Sequence, residues 1–249
     1  MKRLKEILTG ILVIAAICIL FYFVYQNVNT KTHRDLAKRI AELSPKGGPP
    51  ETIDGLRKAI ALYEDQIERN VREGAQTGTY WKILAIRLAD KNMHNDALNA
   101  FERAIYFNTE DPTIYYLTGV SAASAAKSLV GFSAGEQKEK DRLFKLSENS
   151  YLRAMELDIT YTKPMYGIAI LYIFELDRPQ DAIPYLERYL KISGSDISAM
   201  FVLARAYYST ENYTDALELY DRIISRAKDK KIKEEAQKNK DIIQGLIYE

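Results

Sequence analysis

Trp81 to Ala104 reads WKILAIRLADKNMHNDALNAFERA and contains two apolar patterns of helical period separated by a polar turn. In the second pattern, Ala97, Phe101 and Ala104 fall at i, i+4 and i+7, which places them on one face of a helix. A small residue on that face lets a neighbouring helix approach, and the aromatic ring fills the space beside it. The stretch therefore predicts a helix–turn–helix unit that is held together by packing.

Small residues recur along the chain at intervals close to 34 residues. Ala85 and Gly119 are 34 residues apart, and Ala169 and Ala204 are 35 apart. The interval between Gly119 and Ala169 is 50 residues, so the second copy carries about 16 extra residues. A period of about 34 residues is typical of arrays in which each repeat is one pair of helices.

The extra residues of the second copy fall between its two predicted helices. Gly119 and Ala154 are 35 residues apart, whereas the equivalent Ala85 and Ala104 are 19 apart. This difference places an insert at about residues 130–142. Its glycine-containing start carries a phenylalanine at position 132 that we expect to be exposed, and its charged second part is expected to be solvated.

These copies resemble the tetratricopeptide repeat (TPR) family. The resemblance implies an all-α fold, namely a TPR-like α-solenoid of antiparallel helix pairs. The repeats are assigned to residues 51–228, in copies at 51–76, 78–111, 112–161, 162–196 and 197–228. The first copy is degenerate, and a predicted helix over residues 52–72 resembles its second helix. A plain capping helix is the alternative interpretation of this segment. A polar-backed capping helix is expected over residues 229–249.

An apolar segment precedes the repeats. Residues 7–25 contain no charged side chain over 19 positions, which is long enough for a transmembrane helix. A short basic tail, residues 1–6, comes before this segment, and a juxtamembrane stretch with a Pro/Gly linker, residues 26–50, follows it. No pair of small residues marks a signal-peptide cleavage site, so we expect an uncleaved single-pass anchor. Cys18, the one cysteine of the chain, is interpreted as an apolar residue of this helix.

Positive charge lies on both sides of the apolar segment, so the distribution of charge does not separate the two orientations. A short basic N-terminus before a first apolar span usually stays in the cytoplasm. In a bacterium, this predicts a cytoplasmic-membrane protein whose C-terminal domain lies in the periplasm. The opposite orientation, with the repeats in the cytoplasm, is the alternative.

Charge and motifs give no case for nucleic-acid binding or catalysis. The formal net charge is +1 with 28% charged residues, so no bulk attraction to nucleic acid is expected. His33 and His94 are far apart in sequence, and neither has a nearby cysteine or second histidine for a metal site. No glycine-rich phosphate loop or nucleophile elbow occurs. We expect a non-enzymatic protein without catalytic, cofactor or metal sites, and an enzyme with an unrecognised site is the less favoured class.

The resemblance also implies which residues face the groove of a TPR superhelix. They occupy equivalent positions on the first helix of each pair: Lys82, Ile86, Tyr116, Val120, Tyr166, Ile170, Ile173, Phe201, Arg205 and Tyr208. Some TPR proteins use Lys, Asn and Arg on this surface to hold a partner's terminal carboxylate. This chain departs from that pattern, because Lys82 and Arg205 are isolated cations on a surface that is otherwise aromatic and aliphatic. Such a surface favours an apolar peptide or an amphipathic helix.

These features predict a membrane-tethered scaffold or co-chaperone that binds an unidentified protein or peptide, in the assembly of an envelope or secretion complex. The alternative function is a cytosol-facing receptor for chaperones or precursor proteins. The same apolar surface allows a homo-oligomer, or coverage by the insert or the N-terminal helix, in place of an external partner.

Overall fold

The computed structural model describes residues 36, 38, 39, 41, 42, 50 and 52–248. The predicted tail (residues 1–6), the predicted anchor (residues 7–25) and most of the linker (residues 26–50) lie outside the described residues. Among the described residues, no helix combines the length and the apolar character needed to cross a membrane.

Residues 52–248 form nine α-helices joined by short turns, with no strand among them. In chain order these are α1 (Ile53–Asp90), α2 (His94–Phe107), α3 (Pro112–Ser128), α4 (Ala134–Leu157), α5 (Thr162–Phe174), α6 (Pro179–Ile192), α7 (Ile197–Ser209), α8 (Tyr213–Arg226) and α9 (Lys230–Tyr248). Consecutive helices from α2 onward are in contact, and α3 also contacts α5 while α5 contacts α7. The first helices of successive pairs therefore lie side by side, which confirms the predicted all-α solenoid of helix pairs.

The chain divides into two compact units, one ending at Glu73 and the other beginning at Gly74. In the first unit, the described helix is the N-terminal part of α1, residues 53–73, and most of its side chains are exposed. The second unit contains the remainder of α1 and helices α2–α9. Two buried apolar clusters lie in this second unit, one around Phe101 and a larger one that extends from α3 to α9.

The recurring small residues are packing positions, as predicted. Ala85, Ala104, Ala169 and Ala204 are all fully buried, and so is Phe101. Each alanine lies where a larger side chain would separate two helices, and the Phe101 ring packs in the same buried cluster as Ala85 and Ala104. The predicted repeat register is therefore confirmed at these positions.

The turns inside three of the helix pairs each contain one residue in the left-handed backbone conformation. Asn92, Asp177 and Glu211 have positive φ values of 61°, 51° and 59°, respectively. A left-handed residue just past a helix lets the following N–H groups reach the last free carbonyls. In the fourth copy, the Asn212 N–H donates to the Tyr207 carbonyl at 2.8 Å. The polar residues at these turns therefore end each first helix and reverse the chain.

The first predicted helix boundary is corrected by the structure. A helix over residues 52–72 was predicted to be separate from the first helix of the next copy, but α1 runs without a break from Ile53 to Asp90. Gly74 and Gly78 lie inside it. Glycine costs a helix only about 1 kcal/mol relative to alanine, and no proline interrupts this region. The glycines therefore do not end the helix.

The insert predicted between the two helices of the second copy, at about residues 130–142, lies largely inside a helix. The nonhelical connection is limited to residues 129–133, and residues 134–142 form the first turns of the 24-residue helix α4. The Ser133 hydroxyl accepts a hydrogen bond from the Glu136 N–H at 3.2 Å, and the Glu136 carboxylate accepts one from the Phe132 N–H at 3.0 Å. Such reciprocal bonds satisfy free donors at a helix start, so the charged stretch continues the helix. Phe132 is 90% exposed, as predicted.

Helix α9 covers the end of the repeat array with one apolar edge. Ala236 and Ile243 are buried, whereas Ile242 and Leu246 are about half exposed. The Lys240 ammonium pairs with the Asp221 carboxylate of α8 at 2.6 Å. The predicted capping segment, residues 229–249, therefore contains a helix that packs on α8 and leaves part of its apolar surface in solvent.

One buried carboxylate ties the second copy to the third. The Glu148 side chain of α4 accepts hydrogen bonds from the Tyr172 hydroxyl (3.0 Å), the Arg178 guanidinium (3.1 Å) and the Lys145 ammonium (2.7 Å). Burial raises the pKa of Glu148, but the hydrogen bonds from Lys145, Tyr172 and Arg178 outweigh it and hold that pKa below its ordinary value. The carboxylate is therefore charged in the folded protein at neutral pH.

We expect Glu148→Gln to lower the free energy of unfolding at pH 7 by about 1–2 kcal/mol, because it removes charge-assisted hydrogen bonds to partly exposed partners. A depressed pKa contributes stability above the unfolded-state pKa and loses it as the pH falls through the folded-state pKa. Urea unfolding at several pH values should therefore show the difference between variant and wild type shrinking in acid. Glu139→Gln removes an exposed partner of Arg142 on the same helix and should leave stability unchanged. Equal losses in the two variants would contradict the role of Glu148.

Candidate functional site

The ten residues predicted to face the groove all lie in the second unit, on α1, α3, α5 and α7. Eight of them are half-buried, and Arg205 and Tyr208 are exposed. Half-buried side chains on a helix face pack against the core with one edge and keep the other edge available. These positions are therefore suited to line a groove, although whether they bind a partner is a prediction.

Lys82 is not an isolated cation. Its ammonium group donates to the Asp111 carboxylate at 2.7 Å, and both side chains are about one quarter exposed. Burial raises the pKa of Asp111. The hydrogen bond and positive charge of Lys82, together with hydrogen bonds from Thr113, lower this pKa by a larger amount, so that it lies below its ordinary value. The same carboxylate caps the start of α3 by accepting from the Thr113 N–H at 2.9 Å. Lys82 therefore holds the residue that caps the first helix of the next copy, and its charge is already compensated.

Arg205 fits the predicted role of an uncompensated cation. Its guanidinium carbon lies 4.9 Å from the centre of the Phe174 ring, in a cation–π contact. Within residues 52–248, no carboxylate lies within ion-pair distance of it. The positive charge of Arg205 is thus held in place by an aromatic ring and is available to a negatively charged group.

Aromatic side chains on the groove face are supported by further aromatic side chains. The Tyr116 ring lies 5.5 Å from the Tyr161 ring and 6.1 Å from the Tyr151 ring, measured between centroids. Tyr166 and Tyr189 are paired at 5.4 Å. Burial raises the pKa of Tyr116 and also that of Tyr166, so both phenols are neutral at physiological pH. The groove face therefore presents rings with little freedom to move, which limits the entropy lost on binding.

A pocket of about 470 Å³ lies at the C-terminal end of the array. Three predicted groove residues of α7 line it: Phe201, Arg205 and Tyr208. Other parts of its lining come from Phe174 at the end of α5, from Tyr220 of α8, and from Glu235, Asn239, Ile242 and Ile243 of α9. The volume lies within the range of pockets that accept a small molecule or a large side chain. The structure therefore brings part of the predicted face together with the capping helix.

Sequence reasoning missed the contribution of Phe174 and of α9. Phe174 follows Ile170 by four residues on the same helix, so extending the predicted row by one turn would have included it. Asn239 and Ile243 are also four residues apart, but α9 was interpreted as a cap that buries its apolar face. Nothing in the local sequence indicates that one edge of this cap stays open over a pocket.

Among the described residues of the second unit, the titratable side chains form no cluster with the geometry of a catalytic or metal-binding site. Groups of three or more His, Cys, Asp and Glu side chains with metal-ligand geometry are absent from the part of the chain that the structure describes. His94 is the first residue of α2, and its Nδ1 atom is buried without a hydrogen-bond partner among the described residues. A single half-buried histidine at a helix start supplies no base–nucleophile pair.

A comparison with protein families finds a match over the C-terminal helix pairs. A family model described as tetratricopeptide repeat matches residues 174–236, which include the end of α5, all of α6–α8 and the start of α9. This part of the chain is therefore similar to tetratricopeptide repeats. The TPR match thus falls on the same helices that form the C-terminal pocket.

Two kinds of relative support the TPR assignment. A TPR repeat-containing protein of Borreliella burgdorferi is 23% identical over 207 residues, covering 82% of this chain and 87% of that protein. Among solved structures, YrrB, described as a TPR protein with an unusual peptide-binding site, aligns with a TM-score of 0.57 at 15% identity over 73% of this chain and 83% of its own. A thermophilic TPR protein of Thermus thermophilus aligns with a TM-score of 0.51 at 15% identity over 82% and 97%. At these identities the structural likeness concerns the TPR fold alone.

TPR proteins generally mediate protein–protein interactions and bind protein or peptide partners, and they are typically non-enzymatic. The half-buried aromatic face of this helical array is consistent with that general role.

Proposed function

We propose that this TPR protein is a non-enzymatic, membrane-tethered scaffold or co-chaperone that captures a protein or peptide partner on its groove face. The observation that carries the proposal is the pocket beside α7, where an uncompensated Arg205 adjoins apolar and aromatic side chains. Pockets with a few polar groups among apolar ones bind ligands selectively, because the polar groups fix the orientation of the ligand.

The chemistry of this pocket suits a partner segment with a large apolar side chain next to a carboxylate. The rings of Phe174, Phe201 and Tyr208 offer apolar contact, and the Arg205 guanidinium offers a planar pair of donors for a carboxylate. Glu235 and Asn239 on α9 add an acceptor and an amide at the same site. A strongly acidic segment would meet the Glu235 carboxylate, so we infer a mainly apolar segment with one negative group.

We expect Arg205→Glu to reduce partner capture at least about tenfold, because it replaces an attractive contact with a repulsive one. A photo-reactive amino acid introduced at Val202, which lines the pocket and is half-buried, would identify the partner in cells. The binding of that partner to full-length wild type and variant would then be measured by titration.

Lys228→Glu is the matched control, since Lys228 is exposed, lies outside the pocket and undergoes the same change of charge. It should leave binding unchanged. Equal binding by the wild type and both variants would disprove the proposed site. Circular dichroism should be the same for all three proteins.

The proposed tether is the apolar segment at residues 7–25, which contains no charged side chain. Its length supports a single-pass anchor. A short N-terminus before a first apolar span usually stays in the cytoplasm, which supports a periplasmic location for the repeats. We therefore infer a role in the assembly of an envelope or secretion complex. Tethering would raise the effective concentration of the groove for partners in the same membrane.

Protease treatment of intact spheroplasts tests this orientation, with a tag after Glu249 and a cytoplasmic protein as the control. Loss of the tag before the membrane is opened is the expected result. A protected tag in the membrane fraction would favour the alternative function, a cytosol-facing receptor for chaperones or precursor proteins. Recovery of the full-length protein in the supernatant after the membrane is removed would rule out the tether.

A further inference from the structure

The N-terminal part of α1 carries a row of large apolar side chains that lie in solvent. Ile53, Leu56, Ile60, Tyr63 and Ile67 are between 41% and 72% exposed. They follow one another at intervals of three and four residues, so they form a single stripe along one face of the helix. From Ile53 to Ile67 the stripe is about 21 Å long at 1.5 Å per residue. All of it lies within the first unit.

The stripe has the seven-residue period of a helix–helix seam. Ile53, Ile60 and Ile67 are spaced by seven, and Leu56 and Tyr63 follow the first two isoleucines by three. A straight helix drifts away from a seven-residue repeat, so such a pattern favours a partner that is itself a helix. Isoleucine at one position of the repeat, with Leu56 and Tyr63 at the other, forms the continuous apolar seam that a coiled coil requires. The face that is already covered is a different one, because Gly55 and Ala59 are buried while the stripe is exposed.

Charges beside the stripe favour an identical helix running in the opposite direction. Arg57 and Glu64 lie on the same flank, seven residues apart, and neither has an ion-pair partner among the described residues. If Ile60 packs against Tyr63 of a second copy in antiparallel orientation, then Leu56 packs against Ile67, and Arg57 faces Glu64 of the second copy. Two-fold symmetry forms this ion pair twice.

A parallel arrangement gives no such pairing. In that case Arg57 would lie beside the second copy's Thr52, and Glu64 beside its Ala59. The other charged residues of this region, Asp54 with Lys58 and Asp65 with Arg69, are paired within α1 at 2.8 Å each and lie away from the seam. Charge complementarity therefore selects the antiparallel pairing of two identical helices.

We propose that the stripe formed by Ile53, Leu56, Ile60, Tyr63 and Ile67 is a homodimer interface, in which the α1 helices of two copies pair in antiparallel orientation. This surface is separate from the groove face of α7, and dimerisation is measured without any external partner. A failure of partner capture at Arg205 would leave this inference unaffected.

Sedimentation velocity of the full-length protein in mild detergent, over a series of concentrations, measures whether it is a monomer or a dimer. The wild type is expected to dimerise. Ile60→Glu should weaken dimerisation at least about tenfold, because it places a charge in the seam of both copies. Ala61→Glu adds the same charge one residue away, on an exposed position outside the stripe, and should leave the dimer unchanged.

Charge reversal tests the orientation and does not disturb the apolar positions. Arg57→Glu and Glu64→Arg should each weaken the dimer, since each creates two like-charge contacts. The double variant Arg57→Glu/Glu64→Arg should restore it to nearly the wild-type value. Circular dichroism confirms that each variant keeps its helical content.

Several results would overturn the proposal. These are a wild-type monomer at every concentration, a dimer that Ile60→Glu does not affect, or a double variant no tighter than the single ones. A monomer that binds anionic lipid vesicles through Ile60 would assign the stripe to a membrane surface instead.

Discussion

Phe101→Ala is expected to lower the free energy of unfolding by about 3–5 kcal/mol, the range for removing a fully buried phenylalanine side chain. The ring is inaccessible to solvent and packs with Ala85, Ala97 and Ile114, which come from α1, α2 and α3. Three helices meet around it, so the cavity left by alanine cannot close without moving a whole helix. Urea unfolding of the full-length protein, monitored by circular dichroism, measures the loss.

Phe132→Ala is the matched control because the same side chain is removed from a position that is 90% exposed. We expect its stability to remain within about 0.5 kcal/mol of the wild type. A comparable loss in both variants would show that Phe132 is covered in solution, and a small loss in Phe101→Ala would show that the assumed packing around α2 is incorrect.

Gly119→Ala is expected to cost about 2 kcal/mol, although alanine is intrinsically the better helix former. An added Cβ at Gly119 of α3 would lie 2.7 Å from the Tyr151 ring of α4, closer than van der Waals contact allows. The ring has little room to move, since a Cβ at Gly167 of α5 would also lie only 2.9 Å from it. Tyr151 therefore fills the space between two glycines on neighbouring first helices. The loss is measured from the midpoint of thermal or urea unfolding.

Gly245→Ala provides the comparison, because no atom lies within 4 Å of a Cβ built at this position of α9. We expect this substitution to be neutral or slightly stabilising, as usual for glycine in an exposed helix. Adding Tyr151→Leu to Gly119→Ala should make the alanine less costly than it is in the wild-type background, since the two sites are in contact. Independent, additive effects would argue against the clash.

Much of the repeat architecture could be predicted from residue spacing. Ala85, Phe101 and Ala104 recur at helical intervals, and burial at these positions follows from the requirement that each helix pair hide one apolar face. The exposure of Phe132 could also be predicted, because it lies between glycines at the edge of a charged stretch. Local pattern is sufficient for such residues because their partners lie within the same repeat or the next one.

Helix boundaries and the state of individual side chains were harder to predict. Gly74 and Gly78 resemble a break in sequence, but a helix tolerates isolated glycines when no proline or competing cap stops it. Lys82 was expected to be free, but Asp111 compensates its charge. That carboxylate is 29 residues away in sequence and is positioned by its role as the cap of α3. The residue pattern of a single helix cannot predict an ion-pair partner that comes from a distant part of the sequence.

The C-terminal pocket also shows which features follow from local sequence and which depend on tertiary packing. The repeat period and the apolar face of each helix, which are properties of short stretches, follow from the order of the amino acids. The pocket depends on how far α9 lies from α7 and on which edge of α9 stays open, so that Phe201 and Asn239 border one space. Those distances result from the packing of several helices at once, where the volume of each buried side chain affects the position of the next helix. The sequence is therefore sufficient for the helical repeats, whereas the tertiary structure is required to locate the pocket and the free charge of Arg205.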